Sequence, residues 1–349
     1  MTSGGDSAAP RQGGLFGPLE ESAAASSGAG AEHGRPVEAA PVDPATAALA
    51  ASLPNKLRLG TSSWAFAGWR GAVYAARAPK RHLSKHGLGA YAEHPLLRAV
   101  GLDRTFYAPI SAEVFADYAT QVPESFRFLV KAWAEVTSPR LHGRTGLNPN
   151  YLDAACAEDR CVAPALAGLG SKLGPLLLQF PPQGAAAARR PEAWAARLHE
   201  FLAALPEGPR YVVELRDEAL FTEDYVQALD AAGAHHGYVA HPRMPSLARQ
   251  RALAPLRGGP VTVRWMLRQG FEYQQAKERY EPFDALVDRD PKTRSELTAM
   301  ALEAAALDVE MVVVVNNKAE GSSPLSVLEL ARQIAQASLA AAPRSTSAS

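Results

Sequence analysis

The chain has 349 residues, of which 47% are hydrophobic and 21% charged, a composition typical of globular proteins that excludes a wholly disordered chain. Its 36 Lys and Arg residues equal its 36 Asp and Glu residues in number. The resulting net charge of zero argues against a protein that coats nucleic acid or anionic membrane by bulk charge. Only two cysteines are present, Cys156 and Cys161, which excludes a disulfide framework and a cysteine zinc site.

Low-complexity segments flank the central part of the chain. Residues 1–54 are mostly Ala, Gly, Ser and Pro, with few aromatic or β-branched side chains, so we predict a disordered tail there and a second one at 343–349. The N-terminal stretch lacks the pattern of a secretory signal, and no apolar run approaches the roughly 20 residues that span a bilayer. We therefore expect one domain over residues 55–342 in a cytoplasmic protein that does not bind membranes.

Eight short, apolar runs between these tails are predicted strands. Since most are apolar at every position, they are typical of a parallel sheet that is buried on both faces. The predicted strands are 57–60, 98–102, 126–130, 175–180, 210–215, 237–240, 260–265 and 311–315.

Helical patterns fall between the runs. The predicted helices are 111–121, 149–167, 189–205, 222–232, 295–307 and 325–341, and 246–256 is a poor helix. Eight alternations of strand and helix predict an α/β fold, a (β/α)8 TIM-type barrel. A doubly wound open sheet is the alternative, but it would need a glycine-rich phosphate turn after the first strand, and none is there.

Six motifs follow the predicted strands in a fixed order. They are GTSSW at 60–64 with GWRG at 68–71, TFY at 105–107, FRFLVK at 126–131, LGPLLLQFPP at 173–182, VELR at 213–216 and NN at 316–317. Together they resemble the YecE-like proteins, domain of unknown function 72. The resemblance implies a TIM-type barrel and no particular reaction. Three positions depart from the family pattern, because Gly101 replaces a glutamate, Asp103 replaces an asparagine and Met266 replaces a histidine.

The carboxyl ends of the strands hold the candidate functional residues, because the active sites of TIM barrels lie at that end. The candidate catalytic residues are Glu214, Lys131 and Asp103. The candidate ligand-binding residues are Arg216, Arg264, Asn316, Asn317, Gln179, Trp64, Tyr107 and Thr61.

Each candidate group has a structural and a functional interpretation. Glu214 and Lys131 are either a buried ion pair or a general base beside an electrostatic stabiliser. Asp103 and Glu214 are alternatively paired carboxylates of the kind that hydrolases use. Lys131, Arg216 and Arg264 could bind a phosphate or carboxylate, or could pair with nearby acids, and these two roles are compatible.

Aromatic residues and one long loop give further alternatives. Five rings near the strand ends form either a wall for a sugar or base, or core packing. These rings are Trp64, Trp69, Phe106, Tyr107 and Trp133. The loop 268–294 is either a lid or a partly helical surface excursion.

Two functional hypotheses follow from these residues. The favoured one is an enzyme, a metal-independent hydrolase or lyase, that acts on a small anionic or sugar-like substrate by acid–base chemistry. The other is a non-catalytic protein that binds nucleic acid or another phosphate-bearing ligand. Because His, Asp and Glu are few at the strand ends, we expect no bound metal, and we expect no cofactor.

Overall fold

The computed structural model describes residues 36–341 except 142 and 258. Eight parallel strands pair in sequence order, and the last pairs with the first to close a barrel. The strands are β1 (Leu57–Thr61), β2 (Ala99–Leu102), β3 (Arg127–Lys131), β4 (Leu173–Phe180), β5 (Arg210–Leu215), β6 (His235–Ala240), β7 (Val261–Trp265) and β8 (Met311–Val315). The predicted (β/α)8 barrel is confirmed, and the open doubly wound sheet is excluded.

Helices precede the barrel and connect its strands. They are α1 (Pro44–Ala51), α2 (Lys80–His86), α3 (Leu88–Ala92), α4 (Ala112–Thr120), α5 (Ala134–Thr137), α6 (Ala154–Ala157), α7 (Ala163–Leu169), α8 (Ala185–Ala188), α9 (Pro191–Ala203), α10 (Glu223–Ala231), α11 (Leu247–Leu253), α12 (Tyr273–Tyr280), α13 (Pro291–Ala306) and α14 (Ser323–Ala341). In the described ranges, no helix combines the length and the apolar character that crossing a membrane requires.

The helix predicted over 149–167 begins later than expected. A π-helical turn, Glu158–Val162, joins α6 to α7, and the side chain of Asp153 caps the start by accepting a hydrogen bond from the Cys156 amide at 2.9 Å. Residues before the cap form turns held by Asn148, whose side-chain amide donates to the Ser138 carbonyl at 2.8 Å. The segment 246–256 does contain a helix, α11, which Ser246 caps.

The predicted boundary of the N-terminal tail at residue 54 is wrong. Helix α1 lies within it, and the side chain of Asp43 caps that helix through the Ala45 amide at 3.0 Å. Ala50 is buried, and the Ala40 amide donates to the Val73 carbonyl at 2.9 Å, so this segment packs on the barrel. The alanine-rich composition of this segment suggested a low-complexity tail. Alanine is also the strongest helix former, so the same composition is compatible with a helix. Residues 1–35 and 343–349 of the predicted tails lie outside the described residues.

The interior of the barrel is filled by small and branched side chains. One cluster of fully buried residues comes from four neighbouring strands and from β8: Ala99, Leu129, Leu177, Val212, Val312 and Val314. Because side chains alternate along a strand, the positions two residues further on face the same interior at the carboxyl end. Three of those positions are occupied by Lys131, Gln179 and Glu214.

Removing residues 1–54 should lower the melting temperature relative to removing residues 1–35 alone. The longer deletion takes away the packing of Leu49, Ala50 and Leu53, worth roughly 2 kcal/mol, which corresponds to a shift of about 3 °C for a protein of this size. Differential scanning calorimetry of the two truncated proteins measures the shift. Equal melting temperatures would contradict the packing of α1 on the barrel.

Candidate functional site

A layer of buried charged and polar side chains closes the barrel interior below its carboxyl end. It consists of Lys131, Gln179, Glu214 and Arg264, which come from β3, β4, β5 and β7 and are 2% exposed or less. Each lies near the carboxyl end of its strand, where the alternation of side chains turns it inward. The apolar sequence of each of these four strands thus places one polar residue in a region with little access to water.

Glu214 lies at the centre of this layer and is held by two arginines. Arg216 Nε donates to Glu214 Oε1 at 2.7 Å, and Arg264 Nη1 contacts both carboxylate oxygens at 3.1 and 3.2 Å. Burial alone would raise the pKa of Glu214, but the positive charges of Arg216, Arg264 and Lys131 together outweigh burial and lower it. Glu214 is therefore ionised and engaged on both oxygens, which makes it a poor general base.

Arg264 connects this carboxylate to two other elements. Its Nη1 also donates to Gln179 Oε1 at 3.0 Å, and its Nη2 donates to Asp103 Oδ1 at 2.9 Å. Burial would lower the pKa of Arg264, but Glu214 and Asp103 outweigh it and raise that pKa, so the guanidinium stays charged. The side chain of Asp103 is 32% exposed, so it faces solvent at the mouth while it remains tied to the buried layer.

A cavity of about 290 Å³ lies above this layer. Six of the residues predicted from sequence line it: Trp64, Asp103, Tyr107, Lys131, Arg216 and Asn316. The wall also contains Ser62, Ser63, Ala65, Phe66, Lys80, Ser84, Gly101, Leu102, Arg104, His241, Met266, Leu267, Tyr273 and Lys318. The structure therefore brings together side chains from seven of the strand ends and from the helix α2.

Five predicted site residues do not line the cavity. Glu214, Arg264 and Gln179 belong to the buried layer beneath it. Thr61 alternates to the outer face of β1, where its hydroxyl and the Tyr91 hydroxyl lie 2.9 Å apart. The next residue along the chain, Ser62, lines the cavity instead.

Asn317 has a structural role in this arrangement. Its side-chain carbonyl accepts hydrogen bonds from Trp69 Nε1 at 3.2 Å and from both the amide and the hydroxyl of Ser323 at 2.8 Å. It therefore fixes the connection between β8 and α14. Asn316 does reach the cavity, and its side-chain amide donates to the Ser62 hydroxyl at 2.8 Å.

Two of the three lysines that line the cavity each lie beside an aromatic ring. Lys131 Nζ lies 3.7 Å from the centre of the Phe106 ring, and Lys318 Nζ lies 4.2 Å from that of Tyr273. Burial is the main cause that lowers the pKa of Lys131 to about 7. The positive charge of Arg264 adds to this lowering, and Asp103 opposes it. Burial likewise lowers the pKa of Lys318 to about 8.

The aromatic residues divide between the wall and the core. Trp64 and Tyr107 line the cavity, and Tyr107 is 44% exposed at the rim. Trp69 is fully buried and packs against Phe66 at a ring-centre distance of 4.9 Å. Each alternative therefore describes some of the predicted rings, because Trp64 and Tyr107 line the cavity and Trp69 packs in the core. Tyr273 adds a further ring to the lining.

Tyr273 belongs to the loop 268–294, which is packed rather than open. Helix α12 occupies its first half, and Tyr280 and Phe283 form a small core with Leu267 and Ala276. Arg279 in α12 donates two hydrogen bonds, of 2.6 and 3.0 Å, to the carboxylate of Asp288 in the second half of the loop. The partly helical alternative thus describes this loop, which contributes one wall of the cavity.

Histidine and acidic residues are sparse around the cavity. His241 is buried, and its Nδ1 accepts a hydrogen bond from the Arg243 amide at 3.1 Å. Burial and then the charge of Arg216 lower its pKa well below the usual range, so the ring is neutral. Within the described ranges, no three His, Cys, Asp or Glu residues are grouped so that they could hold a metal ion.

All three departures from the family pattern lie at the cavity, and Asp103 adds a carboxylate where the pattern has an asparagine. Gly101 faces the interior of β2, and a Cβ there would meet no atom closer than 3.4 Å, from Ser62 and Val314. Met266 forms part of the wall next to Leu267. The cavity therefore lacks one carboxylate and one imidazole that the resemblance would have supplied.

Substituting Glu214→Gln should lower the free energy of unfolding by roughly 3–5 kcal/mol, because Arg216 would be left buried without its counter-charge and Arg264 would keep only Asp103. Denaturant titration measures the change. The control is Glu303→Gln, which breaks a more exposed ion pair with Arg251 and should cost less than about 1 kcal/mol. Similar losses for the two variants would show that the buried layer contributes no more than a surface pair.

The lowered pKa of Lys131 predicts a pH-dependent stability. Between the folded value of about 7 and the unfolded value near 10.4, the unfolded chain binds more protons at this site, so stability rises with pH. The free energy of unfolding of the wild type, relative to Lys131→Met, should increase by roughly 2 kcal/mol from pH 7 to pH 9. Denaturant titrations of both proteins at these two pH values test the slope. A constant difference would mean that Lys131 titrates as an exposed lysine does.

Comparisons with known proteins agree with this architecture. A DUF72 family protein from Enterococcus faecalis V583 has 17% identity and a TM-score of 0.50, over 81% of this chain and 97% of that one. A DUF72 family protein from Thermotoga maritima MSB8 has 19% identity and a TM-score of 0.51, over 80% of this chain and 99% of that one. At these identities the likeness shows the fold alone. No curated protein matches the sequence.

The family model described as "Protein of unknown function DUF72" matches residues 58–348. The match includes all eight strands and every residue of the buried layer. It confirms the resemblance inferred from the ordered motifs, and the chain belongs to the DUF72 family.

Proposed function

We propose that this protein is an enzyme whose cavity binds a small anionic or sugar-like substrate and exchanges protons with it. The observation that carries the proposal is the charge of the cavity wall. Among the described residues, five side chains of the wall are basic and one is acidic. The acidic residue is Asp103, and the basic ones are Lys80, Arg104, Lys131, Arg216 and Lys318. A cavity of about 290 Å³ suits a molecule with few heavy atoms.

The basic excess favours an anion for electrostatic reasons. Arg216 is neutralised by Glu214, but the lysines and Arg104 share Asp103 as the one carboxylate in the wall. Charges in a poorly solvated site interact more strongly than on the surface, so a phosphate or carboxylate would gain from several of them at once. Ser62, Ser63 and Asn316 add neutral hydrogen-bonding groups that suit the hydroxyl groups of a sugar.

Lys131 and Asp103 are the residues to which we assign the proton transfers. An amine with a pKa near 7 is present in both protonation states at neutral pH, which is the condition under which a general acid–base group is most effective. Asp103 is partly exposed and is oriented by Arg264. Glu214, which the sequence suggested as the base, becomes a positioning residue that holds Arg216 and Arg264.

A binding protein without turnover is the second candidate. The exposed rings of Tyr107 and Tyr273 at the rim, next to basic side chains, also suit a phosphate-bearing ligand such as a nucleotide or a nucleic acid. The net charge of zero does not favour nucleic acid. A nucleic-acid ligand would lose affinity steeply as salt increases, whereas a small substrate would be converted to a product.

Small anions should raise the melting temperature of the protein. At a concentration 100 times its dissociation constant, a ligand stabilises the folded state by about 2.7 kcal/mol. A panel of inorganic phosphate, sugar phosphates and small carboxylates, scanned by thermal shift, measures the effect. Lys318→Met should weaken it, whereas Lys56→Met, which removes a surface lysine paired with Asp308 outside the cavity, should not. The absence of any stabilising anion would contradict the proposal.

A further inference from the structure

Lys131 differs from Lys318, the other buried lysine of the cavity wall, in how its side chain is held. It is the last residue of β3, its side chain is 2% exposed, and its Nζ lies against the face of the Phe106 ring. Lys318 lies in a short turn after β8, is 7% exposed, and contacts Tyr273 in the loop 268–294. A side chain fixed by a strand and a packed ring presents its amine in one orientation, as covalent chemistry requires.

The surroundings of Lys131 also keep its amine reactive. Burial and the positive charge of Arg264 disfavour the ammonium form, while the carboxylates of Asp103 and Glu214 favour it; Arg216 adds a further, smaller opposing charge. The outcome is a pKa of about 7, so that about half of the amine carries a lone pair at neutral pH, against roughly one in a thousand or fewer for an ordinary lysine. Lysines activated by a poorly solvated site and by neighbouring cations are those that form imines.

We propose that Lys131 acts as a nucleophile and forms an imine with the aldehyde or ketone group of a small anionic substrate. This inference rests on the proposed function, because the basic wall of the same cavity would hold the anionic group of that substrate. It narrows the substrate class from small anions to those that carry a carbonyl group, such as oxo acids or open-chain sugar phosphates.

The step needs no oxidant, reductant or co-reactant. The Nζ lone pair of Lys131 forms a bond to the carbonyl carbon, and the π electrons move to the oxygen, which gains one proton as the nitrogen loses one. The carbon–oxygen bond of this carbinolamine then breaks, the nitrogen loses its second proton and forms the double bond, and the oxygen leaves as water. Asp103 is placed to carry both protons from nitrogen to oxygen, because it lines the same cavity and Arg264 orients it.

Reductive trapping of the imine tests the inference. The full chain is incubated at pH 7 with glyoxylate, an aldehyde that carries a carboxylate, and with sodium cyanoborohydride, and modified lysines are located by peptide mass spectrometry. One adduct is expected, heavier by the mass of glyoxylic acid less one oxygen atom. We expect Lys131 to be labelled roughly fivefold faster than Lys318, whose pKa is lowered to about 8, and tenfold or more faster than the surface residue Lys56. Mapping the wild-type protein makes this test independent of whether any variant folds.

Variants and a second aldehyde complete the design. Lys131→Met should abolish the fast adduct, and the surface variant Lys56→Met should retain it. If glyoxylate raises the melting temperature but labels Lys131 no faster than Lys56, the imine is wrong and the anion site stands. If Lys131 is labelled fast and acetaldehyde, which has no charge, reacts as readily as glyoxylate, the imine stands and the anion site fails. If glyoxylate neither stabilises the protein nor labels Lys131, both proposals are overturned.

Discussion

The ion pairs of Glu214 with Arg216 and Arg264 are the interaction on which the mouth of the barrel depends. A fully buried carboxylate is costly unless it is matched by charge and hydrogen bonds, and here both of its oxygens are matched. Arg264 extends the network across the barrel to Gln179 and to Asp103. Arg216 and Asp103, which line the cavity, are therefore held directly or through Arg264 by the carboxylate of Glu214. Glu214 itself lies beneath the cavity and does not line it.

Arginine and lysine side chains behave differently in this buried layer. Guanidinium groups keep their charge in a buried setting, so Arg264 serves as a permanent link. A lysine in the same layer behaves differently, because burial lowers the pKa of its ammonium group enough for it to lose a proton. Glu214 and Asp103 act on both Lys131 and Arg264. Arg264 stays charged in this buried setting, whereas the pKa of Lys131 falls to about 7, close to physiological pH.

The fold was predictable from sequence to a large extent, and the site only in part. The apolar runs located all eight strands because a barrel strand is buried on both faces, and that leaves a strong compositional signal. Strand ends were predicted, but not which of two adjacent polar residues turns inward. Neighbouring residues of a strand face opposite sides of the sheet, so an error of one residue exchanges the inner face for the outer one. For this reason Thr61 was predicted to line the site, whereas Ser62 faces the cavity. Lys80 and Ser84 come from a helix outside the strand ends, and no local pattern marks them as parts of the site.

Gly101 has a consequence for the sign of the potential that a ligand meets. Its position points into the mouth, and nothing lies within 3.4 Å of where a side chain would begin. A glutamate there, as the resemblance would have it, would occupy part of the cavity and add a second carboxylate to the wall. With a hydrogen atom in its place, this chain presents a wider and more electropositive opening. One backbone position therefore affects both the width of the cavity and the balance of charge in its wall.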